Sequence, residues 1–359
     1  VQWKLSDEQQ AYSDALRSWL GDAAGASQVR EWLDKGDVTD FEARFIADGF
    51  SGVGFDERLG GQGGGLVELA LTAEELGRAA APSSAWMATA LAIPALVGTP
   101  ERAARALGGE AITLCVPAEL PPDQAPMLGM DDSGLITGSV PRVLAADRAR
   151  HLLVVVADGR SRTLRIVDVA GKGVDVTPDR LLDRSRSVAH VDLVAAASAP
   201  LEVDVDGFLA GAAARAAVLV AADSLGAAER MLDLSVAYSL QRKQFGVPIG
   251  SFQAVKHAAA TVLVGVEAAR SVVYYAAASV QGGADQHVLH AAAAKAQATA
   301  AGVGAADAAL TMHGAIGYTW EHDLHLYSKR AKLDEQLFGA PSVWNERIAS
   351  GLSLTSILV

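Results

Sequence analysis

The segment Gln241-Arg242-Lys243-Gln244-Phe245-Gly246 places two cations and an aromatic ring where a helical run ends. Val247-Pro248-Ile249-Gly250-Ser251-Phe252-Gln253 then carries the chain to the next helical run. A guanidinium at such a break suits a phosphate or carboxylate, which it grips through parallel hydrogen bonds. The plainer role for Arg242 is to satisfy the last carbonyls of its own helix and offset the dipole there. A second such place is Thr311-Met312-His313-Gly314-Ala315-Ile316-Gly317-Tyr318, where a helix stops at a turn with two glycines. Lacking a Cβ, glycine lets the backbone approach a pyrophosphate or an adenine closely; an ordinary helix-ending turn needs it too.

Other reactive residue types carry less. His322 and His325 are three apart and His313 is near them, but no carboxylate–histidine pattern accompanies them and no metal site is expected. Cys115 stands alone in the chain, which excludes an intramolecular disulfide, a Cys-rich zinc site and an iron–sulfur cluster. It lies in the apolar run Ile112–Val116, so a buried structural thiol is expected. The run Gly60-Gly61-Gln62-Gly63-Gly64-Gly65 has no Lys-Ser/Thr after it and no strand before it, so it reads as a turn between helices rather than a phosphate loop.

Three blocks must position these residues. Residues 1–109 read as helical, beginning with a Ser6–Gln9 capping box and the stripe Leu5, Ala15, Leu16 and Trp19. Residues 110–206 change texture: apolar, β-branched segments at 111–116, 151–156, 164–169 and 188–194 are separated by Pro, Gly and Asp. No helical pattern is interleaved, which predicts an antiparallel, barrel-like sheet rather than βαβ units. Residues 207–359 return to helix. One stripe runs through Val218, Ala222, Leu225, Leu232 and Val236, a second from Val255 to Val280 and a third from Leu289 to Leu310. With the 343–348 segment these predict a four-helix bundle whose small residues let the axes come close. The fold class expected is mostly α with a central β-domain.

Half of the 359 residues are hydrophobic and only 6% aromatic, so Ala, Val and Leu must fill the core. A formal charge of −12 argues against a nucleic-acid binder. The opening VQWKLSDEQQ is polar and acidic, unlike a secretory leader, and the apolar runs are broken by charge or glycine. No membrane partner is expected, and a cytoplasmic location is. Arginine outnumbers lysine 22 to 8, a composition that fits a GC-rich bacterial genome.

In this order and spacing, RKQFGVPIGSFQAVKHAAA and HGAIGYTWEHDLHLYSKRAK resemble the two C-terminal signatures of the FAD-dependent acyl-CoA dehydrogenase family. GVGFDERLGGQGGG and EELGRAAAP resemble its first domain, so the likeness covers the whole chain. The resemblance implies an N-terminal helical domain, a middle β-domain and a C-terminal four-helix bundle. It implies FAD as cofactor, lying across a dimer interface. Carried over by position, Arg242 reaches the pyrophosphate of a flavin held mainly by the neighbouring subunit. Phe245, Phe252, Gln253 and the turn Thr311, Met312, His313, Gly314 and Ala315 line its adenosine end. Thr311 departs from the family, which usually has glutamine there.

Elsewhere the family pattern is absent. Where the family has T-E-P-x-A-G-S-D, which holds the flavin ring and the thioester, this chain has Cys115-Val116-Pro117-Ala118-Glu119-Leu120-Pro121-Pro122-Asp123. Arg142-Val143-Leu144 replaces the W-I-T that meets the isoalloxazine. The family's glutamate base removes the substrate α-proton; aligned on Arg330-Ala331-Lys332, its place holds Phe338. A minority location, counted back from Arg242, holds Ala216. Asp223 and Glu335 are the nearby carboxylates, for which surface or helix-end roles are expected.

The resemblance therefore implies a subunit with no catalytic residue of its own, within a heteromeric (α2β2) actinobacterial acyl-CoA dehydrogenase. Its partner would be a homologous subunit carrying the glutamate, and the substrate an acyl-CoA, steroid-derived by analogy, undergoing α,β-desaturation. Two alternatives stay open: a homomeric active dehydrogenase with an unrecognised base, and a structural or regulatory homologue binding no flavin.

Overall fold

Ser6 opens the first helix as predicted. Its hydroxyl accepts from the Gln9 N–H while the Gln9 side chain accepts from the Ser6 N–H, and α1 runs Asp7–Ala23. The computed structural model describes residues 4–158 and 161–352. Then come α2 (Ala26–Lys35), α3 (Thr39–Ala47), α4 (Leu66–Arg78), α5 (Ser84–Ala92) and α6 (Pro100–Leu107). The 60–65 run is a turn between helical segments, with Gly60, Gly63 and Gly64 at positive φ.

The middle unit has strands β1 (Ile112–Leu114), β2 (Met127–Met130), β3 (Ile136–Leu144), β4 (His151–Asp158), β5 (Ser161–Asp168), β6 (Val174–Asp179), β7 (Val188–Ala196) and β8 (Ala199–Leu201). The expected segments became β1, β4, β5 and β7. Antiparallel pairing dominates, yet β1 and β2 both lie parallel to β4 along its length, at Ile112↔His151 and Met127↔Val155. The reason is that β4 is buried on both faces, the setting in which parallel pairs occur. Leu152, Val154 and Val156 join a core inside the sheet with Val140, Val143 and Val191, whereas Leu153 and Val155 join the helical core. This period of two lets one strand serve two cores. Cys115 is buried in the first of these, and burial pushes its thiol up to about 12, consistent with a structural role.

The C-terminal unit contains α7 (Val205–Gln241), a short hairpin of β9 (Lys243–Gln244) and β10 (Val247–Pro248), α8 (Gln253–Gln281), α9 (His287–His313), α10 (Leu324–Gln336) and α11 (Pro341–Gly351). The three predicted stripes are α7, α8 and α9. The fourth helix packed on both α7 and α9 is α10, not the 343–348 segment, which lies in α11 and packs on α9. α7 has the length and apolarity of a membrane span, but 72% of its most apolar stretch is buried inside the fold. It is the central helix of the core. Its packing on α4 is backbone to backbone: a Cβ at Gly226 would stand 1.9 Å from the Glu74 carbonyl, and one at Gly77 2.1 Å from that of Asp223.

Candidate functional site

Successive contacts set the direction of the bundle. Gly302 meets Ser224 and, further along both helices, His313 meets Tyr238, so α7 and α9 run parallel. α8 returns between them, since Gly265 faces Ala301 and Ser279 bonds His290. The C-terminal ends of α7 and α9 and the start of α8 therefore share one end of the bundle. All nine residues expected at a cofactor site lie there.

Arg242 is the last-turn cap of α7: its N–H donates to the Tyr238 carbonyl at 2.8 Å and its own carbonyl accepts from Ile249 at 2.8 Å. Its side chain, by contrast, is exposed and has no hydrogen bond or ion pair among the described residues. The guanidinium thus does not satisfy the carbonyls of its own helix. Past it the chain makes a two-residue turn with Phe245 at φ 52° and Gly246 at φ 83°, flanked by the Gln244↔Val247 pair. Such a turn needs both central residues left-handed, which suits Gly and strains Phe. Phe245 is also 92% exposed, its ring edge-on to that of Phe252 at 6.2 Å. A strained position spent on an uncovered aromatic ring gains nothing for this chain's own packing. Gln253 begins α8, exposed, with its amide 3.4 Å from His257.

Thr311 is exposed, its hydroxyl donating back to the Asp307 carbonyl at 2.9 Å. Met312 and His313 are buried, and Gly314 and Ala315 emerge in a tight turn with Gly314 at φ 64°. His313 donates from Nδ1 to the Ala309 carbonyl at 2.8 Å, which leaves its Nε2 buried without a partner. The ring stacks on Tyr238 at 4.7 Å and meets His322 edge-on at 4.5 Å. Burial holds the pKa of His313 and of His322 below the ordinary histidine value. These histidines form an aromatic stack rather than a ligand set. His325 lies against Trp320 at 4.8 Å instead.

The two places where a base was sought are both apolar. Ala216 is buried about a third of the way along α7. Phe338 is buried at φ 56°, and its N–H donates to the Ala118 carbonyl at 2.6 Å. Ala118 belongs to the 115–123 stretch. That stretch lies directly on the C-terminal segment: Pro121 is 3.2 Å from where a Gly339 Cβ would stand, and Arg347 holds Asp123 through two bonds of 2.9 and 2.7 Å. Trp344 donates to the carbonyls of Phe338 and Gly339, and the buried Lys295 ammonium donates to those of Asp334, Glu335 and Gly339. Burial pulls the Lys295 amine down to about 7.

Asp223 corrects an expectation. It is neither at the surface nor at a helix end but 0% exposed, mid-way along α7. Arg330 holds both its oxygens, at 2.6 and 2.7 Å, and Arg186 approaches at 2.8 Å. Burial works against its charge, and the two guanidinium groups more than offset this, so its pKa falls to about 2. The neighbouring Asp334 is pushed well above the usual range by burial and by the Asp223 charge, so it carries the proton of the pair. Glu335 is half-buried one residue from the end of α10. Tyr238 and Arg30, which support the bundle end, carry no signal in the sequence, and His322 shows there only as one of a histidine group. Tyr238 lies one helical turn before Arg242, but nothing in the sequence connects Arg30 with a loop 290 positions away.

Comparison with known proteins fits this architecture. The acyl-CoA dehydrogenase N-terminal domain model matches residues 6–111 and the C-terminal domain model residues 209–353. The acyl-CoA dehydrogenase IpdE2 of Mycobacterium tuberculosis is 33% identical over 96% of this chain and 97% of its own. FadE34 of the same organism is 31% identical over 96% of this chain, which spans 48% of that longer protein. Among solved structures, the ChsE4–ChsE5 complex from M. tuberculosis superposes with a TM-score of 0.86 at 24% identity, covering 99% of this chain and 100% of that one. The Tcur3481–Tcur3483 steroid ACAD gives 0.85 at 24%, over 96% and 97%. Butyryl-CoA dehydrogenase from Megasphaera elsdenii gives 0.87 at 24%, over 98% and 99%. At these identities the superpositions speak for the fold, while the domain models and the full-length relatives go further: the chain belongs to the acyl-CoA dehydrogenase family.

Proposed function

We propose that this chain is the base-lacking subunit of a heteromeric acyl-CoA dehydrogenase, completing the FAD site of a homologous partner. The observation that carries the reading is an asymmetry. The bundle end presents Arg242 without a partner and Phe245 strained and uncovered, whereas the base position is filled by Phe338. The guanidinium and the hairpin tip that would reach outward are exposed, and the positions that would act within the chain are replaced or engaged.

The fit to FAD divides the same way. An unpaired guanidinium, an exposed aromatic hairpin tip and a turn opened by Gly314 suit the phosphates and adenosine of a dinucleotide approached from outside. The stretch 115–123 and Phe338 do not suit a flavin ring within this chain, because Ala118 and Pro121 lie directly on the 338–339 peptide. The chemistry supplied there by a partner-bound FAD would be acceptance of the hydride from the acyl β-carbon. Arg242 would neutralise pyrophosphate charge, Phe245 and Phe252 would exclude water from that end, and Gln253 would orient by hydrogen bonding. The α-proton is left to the partner's glutamate. By analogy with a steroid ACAD and a two-component complex of the same fold, we place the substrate among bulky, steroid-derived acyl-CoA thioesters. Asp223 offers little to a homomeric alternative, being enclosed by two arginines.

Native mass spectrometry of the chain isolated gently from its source cells tests this. A mixed complex with one FAD per pair of unlike subunits is expected. A homomer with one FAD per chain would overturn the reading.

A further inference from the structure

We propose that Arg30 and His322 are positioning residues that brace the 311–315 turn in the shape that meets the partner's cofactor; this rests on the half-site reading above. Arg30 stands on α2, in the N-terminal unit, yet its Nη1 donates to the carbonyls of Trp320 and Glu321, both at 3.3 Å. Its Nη2 donates to the carboxylate of Asp323. A guanidinium is a rigid fork, so acceptors on three of four successive residues fix the orientation of the loop and not merely its distance.

His322 is the remaining residue in that clamp. Its Nδ1 accepts from the Leu324 N–H at 3.2 Å, which leaves the ring proton on Nε2. The ring meets His313 edge-on at 4.5 Å and Tyr238 edge-on at 6.3 Å. His313, the residue before Gly314, is therefore held between Tyr238 of α7 and a loop tied to α2. Release of the clamp would leave the turn supported from one side.

The stack also responds to acid. A proton on His313 Nε2 would create a buried N–H with no acceptor. The groups facing His313 are Tyr238 on α7, the Ala309 carbonyl on its own helix and His322 on the clamped loop, behind which stand Asp323 and, on α2, Arg30. Burial lowers the pKa of His313, and His322 lowers it further. An undocked turn would take up protons first, so docking is undisturbed above the ordinary histidine range and weakens as pH falls through and below it.

The experiment uses the chain purified with its partner and FAD, following flavin release on dilution by fluorescence. Arg30→Ala and His322→Ala are each expected to speed release on the order of tenfold, with Arg30→Lys recovering part of the loss. Release from the unmodified complex should quicken between about pH 7 and about pH 5, and His313→Phe should flatten that dependence. Arg242→Ala is measured alongside. If it frees FAD while Arg30→Ala and His322→Ala do not, the brace is refuted and the half-site reading stands. If none of the three frees FAD, the half-site reading fails and the brace with it. Should Arg30→Ala not fold, Asp323→Ala, which removes one acceptor of the clamp, decides in its place.

Discussion

Asp223→Asn separates two roles for the buried carboxylate, because a base and a clamp fail differently. If Asp223 were a proton acceptor, the amide would abolish turnover and leave the fold intact. The structure assigns it instead to a cluster joining all three units. Arg330 of α10 bonds both Asp223 oxygens, the Ala81 carbonyl, and the hydroxyls of Ser83 and Ser185; Arg186 bonds Ser83 and pairs with both Asp223 and Asp334. Removing one charge from a buried pair costs about 3–5 kcal/mol, because the other is left uncompensated. Here Asp334 can ionise once the like charge is gone, so a loss near the lower end, about 3 kcal/mol, is expected. The pH dependence carries the sign. Asp334 has a raised folded pKa, so it favours the fold at low pH and that contribution is lost as pH rises. Asp223 has a depressed one, so its contribution is present above about pH 4 and lost below it. In the Asp223→Asn variant the Asp334 pKa should drop and its share of the decline with rising pH should shrink. Urea unfolding across about pH 4 to 8 reads both quantities. A loss under about 1 kcal/mol, with an unchanged pH profile, would refute the clamp.

Arg242→Ala removes an exposed side chain with no partner among the described residues, so the unfolding midpoint should hold; on the proposed half-site reading, FAD retention in the mixed complex should weaken about 10- to 100-fold, a loss of roughly 1.5–3 kcal/mol. Thermal unfolding reads the first effect and flavin absorbance after gel filtration the second. Phe245→Gly should move the two in opposite directions: relief of the φ 52° strain stabilises the chain by about 1 kcal/mol, and loss of the ring weakens cofactor retention. Cys115 should resist alkylation at about pH 8 in the native protein and react at once in denaturant; rapid native labelling would contradict its raised pKa and burial.

Sequence pattern revealed what is local and periodic. The stripes of α7, α8 and α9 were legible because their buried positions are nearly all apolar. α10 was not, because its inward face includes Arg330 and Asp334 beside Leu324, Leu326, Tyr327 and Ala331, which breaks any apolar stripe. β2 and β3 were hidden by Gly129, Gly138 and Pro141, and β6 by being largely exposed. The residues expected at the bundle end did come together, since each sits within a few positions of a helix end. The charge cluster did not show in advance: Asp223, Arg186 and Arg330 are pairwise distant in sequence, and only the folded chain reveals that they share one buried site. The same holds for Arg30.

The glycine contact between α4 and α7 bears on how a ligand could come and go. Two helices touching through Gly77 and Gly226 cannot slide along one another without a neighbouring Cβ meeting a carbonyl, because main-chain carbonyls already stand within 2.1 Å of the places the glycine Cβ atoms would occupy. The N-terminal unit and the bundle meet there main chain to main chain, and side chains have no slack at that seam to absorb a sliding motion. An exchange routed through the exposed hairpin and turn at the bundle end would leave that seam untouched.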